Sequence, residues 1–297
     1  MKEVSRKTYR VRPGHIKRSM GERSLISVVF IIFTILALSY VFSFVWVFLN
    51  SLKDSFEFAV GEALDMPEKL LWSNYLQVFR EFNVEGSTFL DMWWNTIWLA
   101  VGRTFLSLLS TSMCAYAYAR YEFRFRKLLY VFSVIMMTLQ IPSGGAAAYK
   151  LYTDWGLTNT PLFLIGATVG LGATFIIFVG FYRGISWEYA EAAFIDGCTD
   201  FGTWRYVMLP QVMPLIGTQF ILGVINGLQD YTTSMLYMTE YPTVAYGLYE
   251  YEASCIRAMN YPVYYAGLIM VAIPGVIIFV ALMDQIMASL NIGGLKG

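Results

Sequence analysis

Long apolar runs, rather than short alternating ones, dominate the chain from about residue 24 onward. A helix that crosses the hydrocarbon core of a bilayer needs roughly 20 mostly apolar residues. Five stretches meet that requirement directly, and a sixth is interrupted only by Arg103. We therefore predict an all-α membrane protein with six transmembrane helices. The predicted spans are about Leu25–Leu49, Met92–Tyr118, Leu128–Tyr149, Pro161–Phe181, Met213–Met238 and Tyr264–Met287.

Positive charge is distributed unevenly among the segments that connect these spans. With six spans both termini lie on one side, and the segments on that side carry 15 of the 21 Lys and Arg residues. The opposite loops carry five, and Arg103 lies within a span. Because cytoplasmic loops carry an excess of positive residues, we expect both termini in the cytoplasm. Residues 1–23 then form a basic cytoplasmic tail, and residues 24–297 form one six-helix membrane domain.

Composition supports the membrane interpretation and argues against several functions. Charged residues make up 14% of the chain, against about 25% in soluble domains, and hydrophobic residues make up 57%. The net charge is zero, so no general attraction to nucleic acid is implied. The single histidine, His15, and the three cysteines, Cys114, Cys198 and Cys255, fall in different environments, so they cannot assemble a metal site. We expect neither catalytic residues nor a bound metal or cofactor.

The loop between the predicted fourth and fifth spans carries several helix-capping and helix-ending signals. Ser186 can cap a short helix, and acidic residues in the first turns of that helix favour its positive end. Gly197 can adopt positive φ and end the helix. Thr199 or Asp200 can then cap a second short helix, which Pro210 terminates. We expect a compact pair of helices on the cytoplasmic side.

A longer motif in this loop resembles a known one. Glu191-Ala192-Ala193 is followed by three residues, Gly197, nine residues and then Val207-x-Leu209-Pro210. The order and spacing resemble the EAA loop of binding-protein-dependent ABC importer permeases, with Val207 in place of the usual isoleucine. The resemblance implies that residues 186–212 form the loop through which a cytoplasmic ATPase drives the membrane helices.

The resemblance extends over nearly the whole chain and narrows to maltose-type carbohydrate permeases, on the side that resembles the G subunit of that system. It implies the fold of a type I ABC importer permease in the plasma (inner) membrane of a bacterium, with a sugar or oligosaccharide as solute. The supporting segments are Asn74-Tyr75, Val78-Phe79, Asn95-Thr96, Ala115–Arg120 with Phe123, Gly156–Thr160, Pro242-Thr243, Gly247-Leu248 and the C-terminal Gly294–Gly297.

Partners follow from the same resemblance. A second permease subunit would complete the pathway, an extracellular binding protein would deliver the solute, and an ATPase dimer that binds ATP and Mg²⁺ would supply the energy. Closure of that dimer would be transmitted by the EAA helices and turn the pathway outward. The chain contains no Gly-Lys dipeptide, so the phosphate-binding loop G-x-x-x-x-G-K-[ST] is absent and the chain is expected not to be an enzyme.

Roles within the coupling loop are implied in the same way. Glu191 and Asp196 would pair with cations of the ATPase. Small side chains would permit close docking, Gly197 would shape the turn, and the Gly294–Gly297 tail would also touch the ATPase dimer. The residues assigned to coupling are Glu191, Ala192, Ala193, Asp196, Gly197, Leu209 and Pro210.

Polar residues inside the predicted fifth span are candidates for the solute pathway, because polar groups within a membrane face protein or water. Asn226, Gln229 and Asp230 lie at i, i+3 and i+4 and so share one helix face, next to Tyr231. That face fits hydrogen bonding to sugar hydroxyls and pairing with the second permease equally well. Maltose-type relatives usually carry Trp-Asn where this chain has Gln229-Asp230. Arg103 could also face the pathway, although the favoured interpretation is pairing with a neighbouring span or snorkelling.

Other classes of transporter remain open. The acidic Asp230 would suit an ABC permease for a cationic or peptide-like solute, whereas the C-terminal Gly-Gly-Leu-Lys-Gly favours the sugar branch. A self-contained secondary transporter would place ion-coupling acids within broken helices, often in an inverted repeat, and only Asp230 is a candidate for that role. Such a transporter would also leave the EAA loop without a purpose.

Overall fold

Helices make up all the regular structure in the part of the chain that the computed structural model describes. The described residues are 20–62, 64–139, 144–166, 168 and 170–292. Within them the β pairing is confined to an isolated bridge between Val84 and Ser87, and the all-α prediction is confirmed. Most of the predicted basic tail and the Gly294–Gly297 ending lie outside these residues.

The helices follow one another with short connections. They are α1 (Met20–Ser51), α2 (Ser55–Val60), α3 (Ser73–Glu81), α4 (Phe89–Arg120), α5 (Arg126–Thr138), α6 (Gly144–Asp154), α7 (Phe163–Gly166), α8 (Ala173–Gly184), α9 (Glu188–Ile195), α10 (Asp200–Thr203), a π-helical segment (Trp204–Met208), α11 (Leu209–Leu228), α12 (Thr232–Leu236), α13 (Val244–Arg257) and α14 (Tyr261–Ile292).

Four helices of the described part are long and apolar enough to cross a membrane. They overlap the predicted first, second, fifth and sixth spans. The predicted third span is divided between α5 and α6, with residues 140–143 outside the description, and the predicted fourth is divided between α7 and α8. Six spans and the cytoplasmic position of both termini therefore stay predictions. The four helical segments are Ser24–Ser51, Phe89–Arg120, Asp200–Leu228 and Tyr261–Ala281.

The chain divides into two compact units, residues 1–49 and 50–297. In the first unit, α1 carries apolar side chains around its whole circumference, and its described residues are exposed throughout 24–45. A helix that is apolar on every side is typical of one surrounded by lipid or by other apolar helices. The composition of α1 is therefore that of a membrane span.

In the second unit, α4 is central because it packs along both α11 and α8. Two glycines four residues apart let α11 approach α4 closely. A Cβ added at Gly223 would lie 2.5 Å from Cγ2 of Thr104, and one added at Gly227 would lie 2.6 Å from Cβ of Ala100. Small residues at this spacing are a common means of bringing two membrane helices together.

The N-terminal half of α4 is also tied to the segment before α13. Nδ2 of Asn95 donates to the carbonyl oxygen of Pro242 over 3.2 Å, and the N–H of Val244 donates to Oγ1 of Thr96 over 2.9 Å. Asn95 and Thr96 are buried, so these bonds satisfy polar groups that would otherwise cost free energy. Two short polar segments that are far apart in the sequence thus meet in the fold.

Candidate functional site

Helix α9 lies in the segment predicted to couple the chain to an ATPase, and its two faces differ. The N–H of Glu188 donates to Oγ of Ser186 over 3.3 Å, so the predicted capping residue binds the first donor of the helix. Glu191 and Ala192 are exposed, whereas Ala193 is 5% exposed. Ala193 therefore packs inside this chain, and only Ala192 of the two alanines is accessible to a partner.

The end of α9 is formed by Gly197, as predicted. Its N–H donates to the carbonyl oxygen of Phe194 over 3.0 Å, and the N–H of Cys198 donates to that of Ala193 over 2.9 Å. This bonding pattern requires a left-handed residue after the helix. Gly197 has a φ of 84°, a value that glycine adopts without the steric cost that a Cβ would bring.

Large apolar side chains surround the exposed part of this loop. Ile195 is 86% exposed, and Tyr206, Phe201 and Tyr189 are also exposed. The sequence motif did not single them out, because residues of these types are more often found in a core. Helix α9 contacts both α10 and the π-helical segment, so these exposed side chains belong to one region of the chain.

Pro210 does not end the second helix, and that prediction is wrong. α10, the π-helical segment and α11 form one continuous helix, Asp200–Leu228. The N–H of Leu209 donates to the carbonyl oxygen of Trp204, five residues earlier, so the turn before the proline is widened. Pro210 follows this widened turn inside the continuous helix, and a local π adjustment of this kind lets a spanning helix continue past a proline that lacks an N–H donor. The loop therefore passes into the predicted fifth span without a break.

The coupling loop is tied to the end of α4 by two adjacent residues. The guanidinium of Arg120 donates to the carbonyl oxygens of Tyr182 and Ile185, where α8 ends. It also lies over the ring of Trp187, 5.3 Å from the ring centre. A cation at a helix C-terminus binds carbonyls that lack a partner in the helix and opposes the negative end of its dipole. Arg120 thereby holds both the end of α8 and the entry to α9.

The second tie joins Tyr121 to Asp200, the first residue of α10. The hydroxyl of Tyr121 donates to Oδ1 of Asp200 over 2.7 Å. Burial, and secondly this hydrogen bond, raise the pKa of Tyr121, so the hydroxyl keeps its proton at neutral pH and remains a donor. Sequence reasoning missed both ties, although Arg120 belongs to a segment on which the family resemblance was based.

An open cavity of about 450 Å³ lies between α4, α8 and α11 in the second unit. Two residues predicted for the solute pathway, Asn226 and Asp230, line it, and so does Arg103. Apolar side chains such as Leu99 and Phe163 form much of the remaining wall. Six polar side chains line the cavity from α4, from α11 and from the segment that directly follows α11. They are Arg103, Thr104, Ser107, Gln219, Asn226 and Asp230.

Arg103 and Asp230 form an ion pair at the edge of this cavity. Nη1 of Arg103 lies 2.7 Å from Oδ2 of Asp230 and donates also to Oγ1 of Thr233 over 3.2 Å. Thr233 in turn donates its hydroxyl to Oδ2 of Asp230 over 2.6 Å and its N–H to Oδ1 over 3.0 Å. Arg103 therefore pairs within this chain, but its partner follows the end of α11 at Leu228 and does not lie within a neighbouring span.

The predicted extension of the fifth span as far as Met238 is wrong. α11 ends at Leu228, and Asp230 binds the N–H of Thr233, the second residue of α12. The expected helix face of three polar residues is therefore interrupted. Gln229 is exposed and is not among the residues that line the cavity.

Tyr231, the fourth residue predicted for the pathway, lies beside the cavity rather than in its wall. Its ring stacks on Tyr249 of α13, with ring centres 5.4 Å apart and planes 14° apart. Both rings are exposed, at 44% and 48%. The pair forms an aromatic surface next to Asp230.

The chain is similar in sequence and in fold to known transport proteins. Residues 108–291 match the family described as "Binding-protein-dependent transport system inner membrane component". The arabinooligosaccharides transport system permease protein AraQ of Bacillus subtilis is 28% identical, over 89% of this chain and 94% of its own length. The sulfoquinovosyl glycerol transport system permease protein SmoH of Agrobacterium fabrum is 26% identical, over 90% and 93%.

Another relative and one solved structure extend the comparison. The maltodextrin transport system permease protein MdxG of Bacillus subtilis is 26% identical, over 72% of this chain and 78% of its own length. A chain of a bacterial ABC transporter involved in the import of the acidic polysaccharide alginate superposes with a TM-score of 0.71. It is 21% identical, and the match covers 90% of this chain and 98% of that one. The two chains share a fold.

Proposed function

The chain belongs to the family of binding-protein-dependent transport system inner membrane components, and on that premise we propose that it is a permease subunit of an ATP-driven importer of sugars or oligosaccharides. The observation that carries the proposal is the continuous helix Asp200–Leu228, which joins the coupling loop directly to the wall of the cavity. The names of the relatives support a saccharide as the transported solute, since they refer to arabinooligosaccharides, maltodextrin and sulfoquinovosyl glycerol.

Within that function the chain crosses the bacterial plasma membrane six times, with both termini in the cytoplasm. The divided third and fourth spans are compatible with this count, because two consecutive helical pieces can together cross a bilayer. The distribution of Lys and Arg supports the orientation. A second permease subunit completes the pathway, and an extracellular binding protein supplies the solute.

Energy enters through a separate ATPase dimer, which binds ATP and Mg²⁺ and docks on α9. Glu191 and Ala192 are exposed on that helix, and Ile195 offers a large apolar contact at its end. Asp196, also exposed, adds a second negative charge for pairing with the ATPase. Gly197 fixes the direction in which the chain leaves α9, while Leu209 and Pro210 belong to the helix that carries the movement away.

Movement of the docked loop reaches the cavity along one continuous helix. At roughly 1.5 Å per residue, the 29-residue helix Asp200–Leu228 is about 43 Å long. Its far end contributes Gly223, Asn226 and Gly227 to the cavity wall. A tilt imposed at Asp200 therefore moves the wall of the cavity, which is what a change from inward-facing to outward-facing requires.

The alternative cargo, a cationic or peptide-like solute, loses its main support. That proposal relied on a free carboxylate at Asp230, whereas the carboxylate is paired with Arg103 and accepts two hydrogen bonds from Thr233. The pair as a whole carries no net charge, so it exerts little attraction on a cation. An uncharged polar solute fits the cavity better.

The experiment that tests the function uses the complete importer in proteoliposomes: this chain, the second permease, the ATPase dimer and the binding protein. Gly197→Ala places a Cβ on a residue with φ of 84°, and Glu191→Lys reverses an exposed charge on α9. We expect both to lower solute-stimulated ATP hydrolysis and uptake. Gly184→Ala is the matched control, since its Cβ would meet no described atom within 4 Å. Unchanged stimulation and uptake in Glu191→Lys would remove α9 from the mechanism.

A further inference from the structure

We propose that Arg103 is the group that contacts the solute in the cavity, and that Asp230 and Thr233 hold its guanidinium in position. The ligand is a pair of neighbouring oxygen atoms on an uncharged saccharide, such as two vicinal hydroxyls. The inference rests on the proposed function, because it requires that solute pass through this cavity. The sequence analysis placed Asp230 in the solute pathway and favoured a structural role for Arg103. The proposal assigns solute contact to Arg103 and the structural role to Asp230.

Asp230 has little capacity left for a solute. Its Oδ2 accepts from Nη1 of Arg103 and from the hydroxyl of Thr233, and its Oδ1 accepts from the N–H of Thr233. Three of the roughly four acceptor positions of a carboxylate are thereby occupied within the chain. These bonds also fix the carboxylate to the first turn of α12, so it cannot turn toward a ligand without breaking that turn.

Arg103, by contrast, keeps most of its donors. A guanidinium carries five N–H donors, and the two contacts of Nη1 account for two of them. The Nε and Nη2 donors have no acceptor among the described residues. The side chain is 46% exposed, lines the cavity and lies near the middle of α4. A charged donor at that depth requires water, solute or protein around it, because facing lipid would be costly.

The unused donors have a geometry that selects the ligand. Nε and Nη2 lie in one plane and point the same way, so they can bind two neighbouring oxygen atoms at once. The ion pair with Asp230 cancels the charge of Arg103, so a second carboxylate gains little electrostatic attraction there. Ser107, Gln219 and Asn226 line the same cavity and offer further uncharged hydrogen-bonding groups. Together these features fit the vicinal hydroxyls of a neutral saccharide.

The test measures uptake by the complete importer in proteoliposomes, with maltotriose and arabinotriose as neutral probes and trigalacturonate as the acidic probe. Arg103→Lys keeps a charge near Asp230 but lacks the planar pair of donors. We expect it to raise the KM of the neutral probe roughly tenfold, the scale of losing hydrogen bonds to a charged group. Asp230→Asn, which retains an oxygen acceptor, should raise KM less. Ser110→Ala on α4, whose hydroxyl donates only to its own helix, should leave KM and uptake unchanged.

A thermodynamic cycle separates direct contact from a structural role. Monodeoxy analogues of the transported probe are measured against the native chain and against Arg103→Lys. If Arg103 binds the hydroxyl that an analogue lacks, the native importer has a higher KM for that analogue than for the parent saccharide. In Arg103→Lys the two KM values should then be similar. If every deoxy penalty is the same in both proteins, Arg103 does not contact the solute and the proposal is overturned.

The remaining outcomes are also decisive. A larger rise in KM for Asp230→Asn than for Arg103→Lys would assign solute contact to the carboxylate and overturn the proposal. Uptake of trigalacturonate alone would overturn the neutral ligand class while leaving the importer function intact. If the native importer moves none of the three saccharides, the proposed sugar import itself fails, and the inference fails with it.

Discussion

The hydroxyl of Tyr121 lies 2.7 Å from Oδ1 of Asp200 and donates a hydrogen bond to it, across 79 positions of sequence. Tyr121 directly follows α4, and Asp200 begins the long helix that leads to the cavity. Beside it, Arg120 binds the two carbonyl oxygens at the end of α8. The segment that contains α9 is thus attached to the end of α4 at two neighbouring positions. Under the proposed function, a force applied to α9 would reach α4 there.

Removing the Tyr121 hydroxyl should weaken coupling more than folding. Tyr121→Phe keeps the ring and deletes one hydrogen bond to a carboxylate, a loss of about 1 kcal/mol for a partly exposed contact. We expect the ratio of solute-stimulated to basal ATP hydrolysis to fall severalfold in the reconstituted importer. Tyr130→Phe is the matched control, because the structure gives the Tyr130 hydroxyl no hydrogen bond among the described residues. An unchanged ratio in Tyr121→Phe would show that this tie does not transmit force.

Replacing Arg120 should lower stability. Arg120→Met removes the side-chain donor from the carbonyl oxygen of Ile185, leaves that of Tyr182 with only the N–H of Ile185, and removes the contact with Trp187. An unsatisfied, partly buried polar group costs about 1–3 kcal/mol, so the thermal transition of the purified chain in detergent should move down by several degrees. Arg124→Met is the control, since Arg124 is exposed and makes no such bond in the described structure. Equal transitions for the two variants would contradict the role given to Arg120.

These predictions concern contacts that a single sequence does not reveal. The left-handed turn at Gly197 was predictable because glycine alone adopts that φ at little cost. The continuation of the helix past Pro210 was not, because a π-helical turn stabilised by packing of Trp204 and Met208 overrides the local preference of proline. A turn at glycine or a helix end at proline is predicted from a few neighbouring residues, whereas the packing of Trp204 and Met208 depends on the whole fold.

The same limit applies to the candidate site. Polar residues in an apolar run identified Arg103 and Asp230 as unusual, since ionisable groups in a membrane are costly. Their contact joins positions 127 apart, and no periodicity relates them. The prediction from helical spacing was wrong here. It placed Gln229 and Asp230 on one helix face, whereas α11 ends before both residues.

The close approach of α4 and α11 makes a prediction about glycine. In Gly227→Ala the new Cβ would lie 2.6 Å from Cβ of Ala100, so the helices must separate. Overpacking of this kind costs about 1–3 kcal/mol, partly offset by a gain of up to about 1 kcal/mol in helix propensity. We expect a lower thermal transition for Gly227→Ala and a slightly higher one for Gly217→Ala, whose Cβ meets no described atom within 4 Å.

A second substitution tests whether the clash is the cause. Ala100→Gly removes the atom that the new Cβ would strike, so the double variant Gly227→Ala with Ala100→Gly should regain part of the lost stability. Contacting residues are expected to be non-additive in this way. Strict additivity of the two substitutions would show that the destabilisation arises elsewhere.

The native cysteines offer a test of orientation. Cys198 follows Gly197 in the coupling loop and is partly exposed, whereas Cys255 in α13 is buried. Burial raises the pKa of the Cys255 thiol, which lowers the fraction of reactive thiolate at neutral pH. In a Cys114→Ser background, an impermeant polyethylene-glycol maleimide should therefore label one site. That site is Cys198, and labelling should occur in inside-out vesicles and not in right-side-out ones, because the loop is predicted to face the cytoplasm.

The opposite face needs a reporter of its own, and the loop between α2 and α3 provides one. Met66 is 72% exposed and lies on the side predicted to face outward. Met66→Cys, combined with Cys114→Ser and Cys198→Ser, should be labelled in right-side-out vesicles only. Reversed labelling of the two reporters would invert the chain in the membrane and place α9 beyond the reach of any cytoplasmic ATPase. Labelling of both from the same side would mean that the number of spans between residues 66 and 198 is even rather than the predicted three.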